Sequence, residues 1–432
     1  MTEETQAPRR VKEPPHRRAL AASVSGQALE WYDFALYGLA AAIIFPRMFF
    51  PDAEPVVGVL ASFATFAVGF IARPVGGFVF GRMGDRIGRA RTLMITILLM
   101  GIGTMLIGAI PSFESIGLLA PILLVMLRLI QGLGIGGEWS GAAVLVVETS
   151  PRERRGFLSS MINSGEYVGT LVASGLFAVL ALVMPQEAFQ TWGWRVPFLL
   201  SGVGVLICWA IRRRLEEPET FTDAISVVEA QPTFMQSIRA EGRHILGIIG
   251  LRMFENASAY IILAFAVTYA ESVGVPTSTT TLGVSLASVV AIFLIPVFGG
   301  LSDRIGRRKT YTIGAVFLIL FFWPFFLLLD TNNALLVWVA FGVAYGLGMS
   351  PMLAVAPAWF AELFPTRFRY SGTAISANIA TVLAGGLAPF IAVALMAMSG
   401  NLVLVMVYLV ALAVISLLAA RLTPETAGSE LR

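Results

Sequence analysis

The sequence predicts an all-α membrane protein whose twelve transmembrane helices form two pseudo-symmetric six-helix bundles. Hydrophobic residues make up 57% of the 432 residues and charged residues only 13%, against roughly 25% in a water-soluble domain. The mean hydropathy is +0.80, so lipid rather than water is the expected solvent. Two further observations complete the prediction: apolar segments of membrane-spanning length recur along the chain, and one charged motif occurs twice.

Apolar segments of spanning length set the number of helices. A helix needs about 20 predominantly apolar residues to cross the hydrocarbon core. Several segments contain proline or glycine, which membrane helices tolerate because neighbouring groups satisfy the freed backbone. The predicted spans are 19–46, 56–80, 92–111, 118–147, 155–184, 195–215, 245–270, 279–301, 311–329, 334–361, 371–398 and 400–420.

Basic residues are distributed unevenly among the connections, and this bias predicts the orientation. The N-terminal tail and every second connection are rich in arginine, whereas the other side carries only Arg47 and Arg195. Both termini are therefore predicted to be cytoplasmic, in an inner or plasma membrane. The net charge of +3 then reflects membrane topology, and no nucleic-acid partner is expected.

An internal repeat divides the chain into two halves. The motif GRMGDRIGRART recurs as GGLSDRIGRRKT, which aligns Asp85 with Asp303 at an offset of 218 residues. ETSPRERRG likewise resembles ELFPTRFRYSG, which aligns Glu148 with Glu362 at an offset of 214. Two motifs in the same order predict two parallel six-helix repeats with a site between them. The predicted division is a cytoplasmic tail at 1–18, a bundle at 19–215, a cytoplasmic linker at 216–243, a second bundle at 244–421 and a cytoplasmic tail at 422–432.

Several motifs carry a resemblance to a known family. The repeated G-x-x-G-D-R-x-G-R motif and RLIQGLGIGG in span 4 resemble signatures of the major facilitator superfamily. EWYDFALYG, RPVGGFVFGRMGDRIGR and RLIQGLGIGGEWSGAAVLVVE are similar to its metabolite:proton symporter family, and the first half looks closest to the shikimate-transporter type.

The resemblance implies proton-coupled symport of a small organic acid, shikimate-like or another mono-, di- or tricarboxylate, by alternating access. Uptake of a zwitterionic osmolyte such as proline or betaine is the alternative. We expect the protein to be a monomer that uses no cofactor beyond the coupling proton. Its expected partners are the lipid bilayer and a small-molecule substrate. A non-transporting sensor would call for an extra soluble domain, and a membrane enzyme for a catalytic cluster; neither is expected from this sequence.

Charged residues within predicted spans are functional candidates, because a charge at the bilayer centre costs about 2.5–3.5 kcal/mol on the insertion scale. In proton-driven relatives an acid of span 1 acts with the motif arginine of span 4, so the resemblance implies this role for Asp33 or Glu30 with Arg128. Helical spacing does not separate Asp33 from Glu30. Glu138 is a third candidate, although Gly136 and Gly137 beside it favour a structural role equally.

Arginines within the spans are the candidates for binding an anionic substrate, since a guanidinium matches a carboxylate in a two-pronged geometry. They are Arg73 and Arg252. Polar and aromatic side chains at helical spacing would complete the site, and they are Tyr37, Gln131, Asn163, Glu166, Tyr167, Asn256, Tyr260 and Asn378. The alternative is that these residues pair with one another and hold helices together.

The repeated motif is predicted to be a gate rather than a phosphate loop. We expect Asp85 to cap a helix start and to pair with Arg154 or Arg155, forming a latch that breaks on inward opening. The gating set comprises Gly81, Gly84, Asp85, Arg86, Gly88, Arg89, Arg154, Arg155, Asp303, Arg304, Gly306 and Arg307.

Other chemistries find little support in the sequence. The single cysteine, Cys208, excludes a disulfide framework, and the two histidines have no companions at ligand spacing, so no metal site is predicted. GLGIGGEW lies inside an apolar span, whereas a dinucleotide loop must follow a strand. No set of nucleophile, base and orienting residue suggests a catalytic site.

Overall fold

Twelve long helices cross the molecule in a computed structural model, which describes residues 15–213, 215, 217 and 233–431. Helices suit a bilayer because they satisfy every backbone polar group within one segment. Ten helices of the described ranges are long and apolar enough to span a membrane; α1 and α2 are similarly long. The twelve are α1 (Pro15–Ile43), α2 (Pro55–Ile87), α3 (Arg89–Ala109), α4 (Leu119–Thr149), α5 (Arg155–Val183), α6 (Arg195–Arg212), α7 (Gly242–Ser272), α8 (Thr277–Ile305), α9 (Arg307–Asp330), α10 (Ala334–Glu362), α11 (Arg369–Ser399) and α12 (Val403–Leu422).

The charged repeats lie within helices rather than in loops. Helix α2 continues to Ile87 and α8 to Ile305, beyond the ends predicted from hydropathy. Each is separated from the next helix by one glycine with positive φ, Gly88 at +115° and Gly306 at +101°. Glycine adopts this conformation without the steric penalty of a side chain. The chain therefore reverses direction in a single residue at both positions, and we call this the basic end of the molecule.

Short elements occur both within the long helices and in the connections between them. Three turns of π-helix interrupt the C-terminal half, at Ile261–Phe265 in α7, Ala344–Met349 in α10 and Thr381–Gly386 in α11. Such turns are frequent at functional sites. The other short elements are helices at Phe45–Phe49, Phe113–Ile116, Gln186–Ala188 and Phe234–Ala240, a π turn at Phe189–Gly193 and a 3-10 turn at Arg152–Arg154.

The predicted domain limits shift at the ends of the halves. Helix α1 begins at Pro15, inside the predicted N-terminal tail, and α7 begins at Gly242, inside the predicted linker. The helix Phe234–Ala240 opens with a capping box formed by Thr233 and Gln236. The predictions for residues 1–14 and for the centre of the linker, 218–232, lie outside the described residues.

The two six-helix halves pack through equivalent pairs of helices. Helix α2 packs on α11, α5 on α8, and α4 on α10. Small residues allow the close approach: a Cβ built on Gly81 would lie 2.8 Å from the Ser371 Cα, and one on Gly156 would lie 2.6 Å from the Gly299 carbonyl oxygen. Each half has its own large apolar core, and between the halves these small residues pack beside aromatic pairs such as Tyr167–Tyr345 and Phe70–Tyr260.

Candidate functional site

A small cavity of about 80 Å³ lies between the two halves. Sites that hold a small molecule usually measure roughly 300–1,000 Å³, so the cavity is nearly closed in this conformation. Both halves contribute to its lining, which consists of Gln27, Glu30, Trp31, Arg73, Ile135, Gly136, Trp139, Ser140, Asn163, Glu166, Arg252, Glu255, Leu353, Ala377, Asn378 and Thr381.

One arginine from each half reaches this cavity. The Arg73 guanidinium of α2 lies 4.5 Å from the ring centroid of Phe70, and its Nε has no hydrogen-bond partner among the described residues. The Arg252 guanidinium of α7 lies 4.9 Å from the ring of Trp139. It also contacts Glu255 Oε1 at 3.6 Å and donates to Asn256 Oδ1 at 3.2 Å. Aromatic faces thus support both cations and leave donors for an anion.

Three carboxylates share the cavity with these arginines. Glu30 and Glu166 come from the N-terminal half and Glu255 from the C-terminal half. Glu30 is 4% exposed, and its Oε2 atom has no hydrogen-bond partner in the described part of the chain. If all five groups were ionised, the carboxylates would outnumber the arginines by one. The charge of the cavity therefore depends on the protonation of these acids.

Two asparagines connect the halves directly beside the cavity. Asn163 Nδ2 of α5 donates to the Leu353 carbonyl at 2.7 Å, while its Oδ1 accepts from Trp139 Nε1 at 2.8 Å. Asn378 Nδ2 of α11 donates to the Gly136 carbonyl at 2.8 Å. The bonds to Leu353 and Gly136 cross between the halves, so separating the halves at the cavity has to break both.

A second polar cluster lies wholly within the N-terminal half. Arg128 lies over the Tyr37 ring, 4.1 Å from its centroid, and donates to Gln131 Oε1 at 3.3 Å. Gln131 in turn donates to Thr104 Oγ1 at 2.5 Å. Asp33 lies close enough to Arg128 for an electrostatic interaction between the two side chains. It is 1% exposed, and neither of its carboxylate oxygens has a hydrogen-bond partner within the described ranges.

Glu138 belongs to a third group. It forms a buried ion pair with Arg212 and accepts from Thr96 Oγ1 at 2.6 Å. A Cβ on Gly26 would collide with both partners, so this glycine makes room for the pair. Arg212 lies in the last turn of α6 and is 2% exposed. This geometry favours the structural alternative for Glu138.

At the basic end, Asp85 caps the start of α11. Its carboxylate accepts from the backbone N–H groups of Tyr370 at 3.2 Å and Ser371 at 2.9 Å, and it contacts Arg89 Nη1 at 3.4 Å. The expected pairing of Asp85 with Arg154 or Arg155 is wrong. The opposing half instead offers the N–H groups of the first turn of α11, which have no partner within their own helix. Such groups attract an anion as an arginine does.

Arg89 and its surroundings join the two halves. Arg89 donates to Glu148 Oε2 at 3.1 Å and to the Thr366 carbonyl of the other half at 2.6 Å. Glu148 also accepts from Arg369 Nη1 at 2.5 Å. One buried glutamate therefore holds two arginines, one from each half.

The second repeat forms a related cluster. Asp303 accepts from the N–H groups of Gly156 at 2.8 Å and Phe157 at 2.9 Å, at the start of α5, and pairs with Arg307 at 2.7 Å. Arg307 donates to Glu362 at 3.2 Å. Arg155, which corresponds to Arg369 in the repeat, instead donates to the Ser429 carbonyl at 2.8 Å.

Three arginines of the predicted gating set take no part in these clusters. Arg86, Arg154 and Arg304 are exposed. The motif spacing could not distinguish them from Arg89 and Arg307, because only packing determines which arginine of a helical turn faces the other half.

The structure divides the predicted binding residues into two groups. Arg73, Asn163, Glu166, Arg252 and Asn378 line the cavity together with Glu30. The others lie behind it: Tyr37 bonds to Thr65, Gln131 to Thr104, Asn256 to Arg252, while Tyr167 packs on Tyr345 and Tyr260 on Phe70.

Sequence reasoning missed several cavity residues. Trp31 and Trp139 line the cavity, and each follows a predicted intramembrane glutamate, in EWYDF and EWSGA. The repeated Glu-Trp pair is the sequence signal that could have identified both tryptophans as cavity residues. Gln27, Ser140 and Thr381 were also missed, since small polar residues are common in membrane helices.

Both halves of the chain match models of transporter families. A family model described as sugar (and other) transporter matches residues 18–222, and one described as major facilitator superfamily matches residues 248–431. A structure of the proton:xylose symporter XylE bound to 6-bromo-6-deoxy-D-glucose has a TM-score of 0.77 at 18% identity, covering 96% of this chain and 98% of that one. Two repeated halves around one central cavity thus define a transporter fold.

Proteins of similar sequence indicate the kind of transporter more narrowly. The shikimate transporter of Escherichia coli (strain K12) is 41% identical over 417 residues, 95% of each chain. The glycine betaine/proline/ectoine/pipecolic acid transporter OusA of Dickeya dadantii (strain 3937) is 35% identical, over 96% of this chain and 85% of its own. The chain therefore belongs to the major facilitator superfamily, among its metabolite:proton symporters. It is a multi-pass membrane transporter and not an enzyme.

Proposed function

We propose that this protein imports a small organic acid together with protons, by alternating exposure of the central cavity to the two sides of an inner or plasma membrane. The observation that carries the proposal is the presence of Arg73 from one half and Arg252 from the other at a single cavity. A carboxylate held by both would draw the halves together, which links substrate binding to closure. The 41% identity to a shikimate transporter supports this substrate class.

Protonation of cavity acids would couple the proton to the substrate. An ionised Glu30 or Glu166 competes with a substrate carboxylate for the arginines, whereas the protonated acid releases them. Asp33 with Arg128 is the second candidate for the coupling site, because both Asp33 oxygens are buried without hydrogen-bond partners among the described residues. One proton entering down about 100 mV supplies roughly 2.3 kcal/mol, enough for about fifty-fold accumulation of a neutral or zwitterionic solute.

The orientation belongs to the same proposal. Arginines of both repeats, Arg89 and Arg307 among them, lie at the basic end, where α1 begins and α12 ends. The excess of basic residues supports a cytoplasmic location for this end and for both termini. The molecule would then be closed towards the cytoplasm.

A thermal-shift series on the purified protein tests the substrate class, since a ligand that binds the folded state raises the melting temperature. We expect shikimate or another carboxylate to do so, and Arg73→Gln and Arg252→Gln each to abolish the shift. Arg47→Gln, an exposed arginine outside the cavity, is the matched control. A carboxylate shift that survives in both cavity variants would contradict the proposal.

Proton uptake in liposomes tests the coupling. Substrate should drive proton entry in the wild type, and Glu30→Gln and Asp33→Asn would identify the coupling acid by which of them abolishes proton entry. Substrate uptake that ignores the proton gradient in the wild type would rule out symport.

A zwitterionic osmolyte is the second candidate. Three glutamates against two arginines, with Trp31 and Trp139 beside them, would suit a quaternary ammonium group bound by aromatic faces. In the same thermal-shift series, a response to betaine or proline without one to carboxylates would favour this candidate.

A further inference from the structure

A groove lies on the outer surface of the C-terminal half between α7 and α12, at the basic end. Its volume is about 570 Å³, within the roughly 300–1,000 Å³ of sites that hold small ligands. Its floor includes two glycines of α7, and a Cβ built on Gly250 would lie 2.7 Å from the Ala419 Cβ. The lining consists of Arg243, His244, Leu246, Gly247, Gly250, Ile415, Leu418, Ala419, Leu422, Thr423 and Pro424.

The walls of this groove are apolar and face outwards. Leu246, Leu418 and Leu422 are 69%, 56% and 66% exposed. On a membrane-spanning helix pair, such a surface contacts the acyl chains of lipid. An apolar wall alone would accept the chain of any lipid, so selectivity has to come from the mouth of the groove.

The mouth is basic. Arg243 is exposed in the first turn of α7. Arg308 donates to the carbonyl of Thr423, a lining residue, at 2.6 Å, and its Nε has no hydrogen-bond partner within the described residues. The nearby acids are already engaged: Glu241 contacts His244 Nδ1 at 2.6 Å, and Glu425 accepts from the N–H groups of Arg307 and Arg308. The guanidinium groups of Arg243 and Arg308 therefore lie beside the apolar groove at the end of the spans.

We propose that the α7–α12 groove binds one anionic phospholipid. An acyl chain lies along the leucine wall, and the headgroup phosphate contacts Arg243 and Arg308. Basic sites between membrane helices at headgroup depth recognise anionic lipids in this way. The site is separate from the central cavity, and none of its lining residues belongs to the proposed transport machinery.

The other half offers an internal control. A groove of about 380 Å³ lies against α1, α5 and α6, and its lining, which includes Tyr32, Val168, Val172, Leu200 and Val203, contains no charged residue. This α1–α6 groove would accept an acyl chain without preference for the headgroup.

Thermal shift and native mass spectrometry of the purified full chain test the proposal, with dioleoyl phosphatidylglycerol and dioleoyl phosphatidylcholine as lipids. We expect phosphatidylglycerol to stabilise the protein more and to remain bound. Arg243→Gln should weaken phosphatidylglycerol binding about fivefold, the factor for one arginine at an anionic surface. Arg239→Gln makes the same charge change on the exposed helix Phe234–Ala240, outside the groove, and should leave binding unchanged.

A second pair of variants tests the groove itself. Leu418→Trp fills the α7–α12 groove and should abolish retention of phosphatidylglycerol, whereas Val203→Trp in the α1–α6 groove should not. Equal responses to the two lipids, unchanged selectivity in Arg243→Gln, or a shift reproduced by inorganic phosphate alone would each overturn the proposal. The Arg243→Gln result decides the matter if Leu418→Trp fails to fold.

Discussion

The clusters around Asp85 and Asp303 derive from the same repeated motif but bind the halves together differently. In both, the aspartate caps a helix of the opposite half by accepting hydrogen bonds from two of its backbone N–H groups. In the first cluster, Glu148 holds Arg89 and Arg369 across the interface. In the second, Glu362 pairs with Arg307 and accepts from Thr426, both from its own half.

This difference locates the electrostatic contribution to closure. The Asp85 cluster joins the halves by buried charges, and the Asp303 cluster joins them chiefly through backbone groups. Repetition of a motif thus preserved the helix cap, while the ion pair across the interface is found on one side. Variants made in matched pairs should separate these contributions.

The largest effect is expected from Glu148→Gln. The change leaves Arg89 and Arg369 buried together without their shared counter-ion, and removing one partner of a buried ion pair costs about 3–5 kcal/mol. Both the melting temperature and the closed population should fall. Opening at the basic end can be measured as alkylation of an Ala374→Cys variant in a Cys208→Ser background, because Ala374 is fully buried where α11 packs against Gly81 of α2.

The matched variant is Glu362→Gln. Glu362 pairs with Arg307, which keeps Asp303 at 2.7 Å, whereas Glu148 holds two arginines. The loss of stability should therefore be clearly smaller than for Glu148→Gln. Equal losses in the two variants would show that the asymmetry between the clusters has no energetic weight.

Exchange of a small residue between the repeats should have the next largest effect. Gly84 corresponds to Ser302, and a Cβ on Gly84 would overlap the Tyr370 ring. Gly84→Ser should therefore cost about 1–3 kcal/mol by overpacking, measured by thermal unfolding. Ser302→Gly loses the acceptor for Arg307 Nη1 at 2.7 Å but creates no overlap; a penalty as large as that of Gly84→Ser would argue against a steric cause.

Removal of the aspartate caps should have a smaller effect on stability, and here the Asp303 cluster should lose more than the Asp85 cluster. Asp303 lies 2.7 Å from Arg307, whereas Asp85 lies 3.4 Å from Arg89. Loss of a cap costs about 0.5–2 kcal/mol, and we expect Asp303→Ala to lie at the upper end and Asp85→Ala at the lower end. Alkylation and melting temperature report both, and a larger loss in Asp85→Ala would contradict the order.

The smallest effect is expected from removal of residues 428–432. Residues 428–431 reach the N-terminal half, where Arg155 donates to the Ser429 carbonyl and Arg152 pairs with Glu430. Arg152 also donates to the Gly428 carbonyl, but its pair with Glu430 is exposed and worth at most about 1 kcal/mol. Arg152→Ala is therefore the control that should change alkylation less than the truncation does. Truncation should increase alkylation slightly, through loss of the Arg155 contact.

Sequence patterns determined most of the fold because bilayer thickness, loop charge and internal repetition each leave a linear record. All twelve spans lie where hydropathy predicted them, with shifted ends such as that of α2. Resemblance of the motifs supplied the family, which the relatives confirm. The intramembrane charges were identified as candidates because each is costly in lipid, and six of the residues predicted for binding or coupling do line the cavity.

Tertiary structure decided which of these residues meet. Glu30 and Asp33 are one helical turn apart, yet Glu30 faces the cavity between the halves and Asp33 belongs to a cluster inside one half. Asp85 meets the N–H groups of α11 rather than Arg154 or Arg155. Composition and periodicity describe each helix alone, whereas these contacts depend on how two helices distant in sequence are rotated and packed against each other.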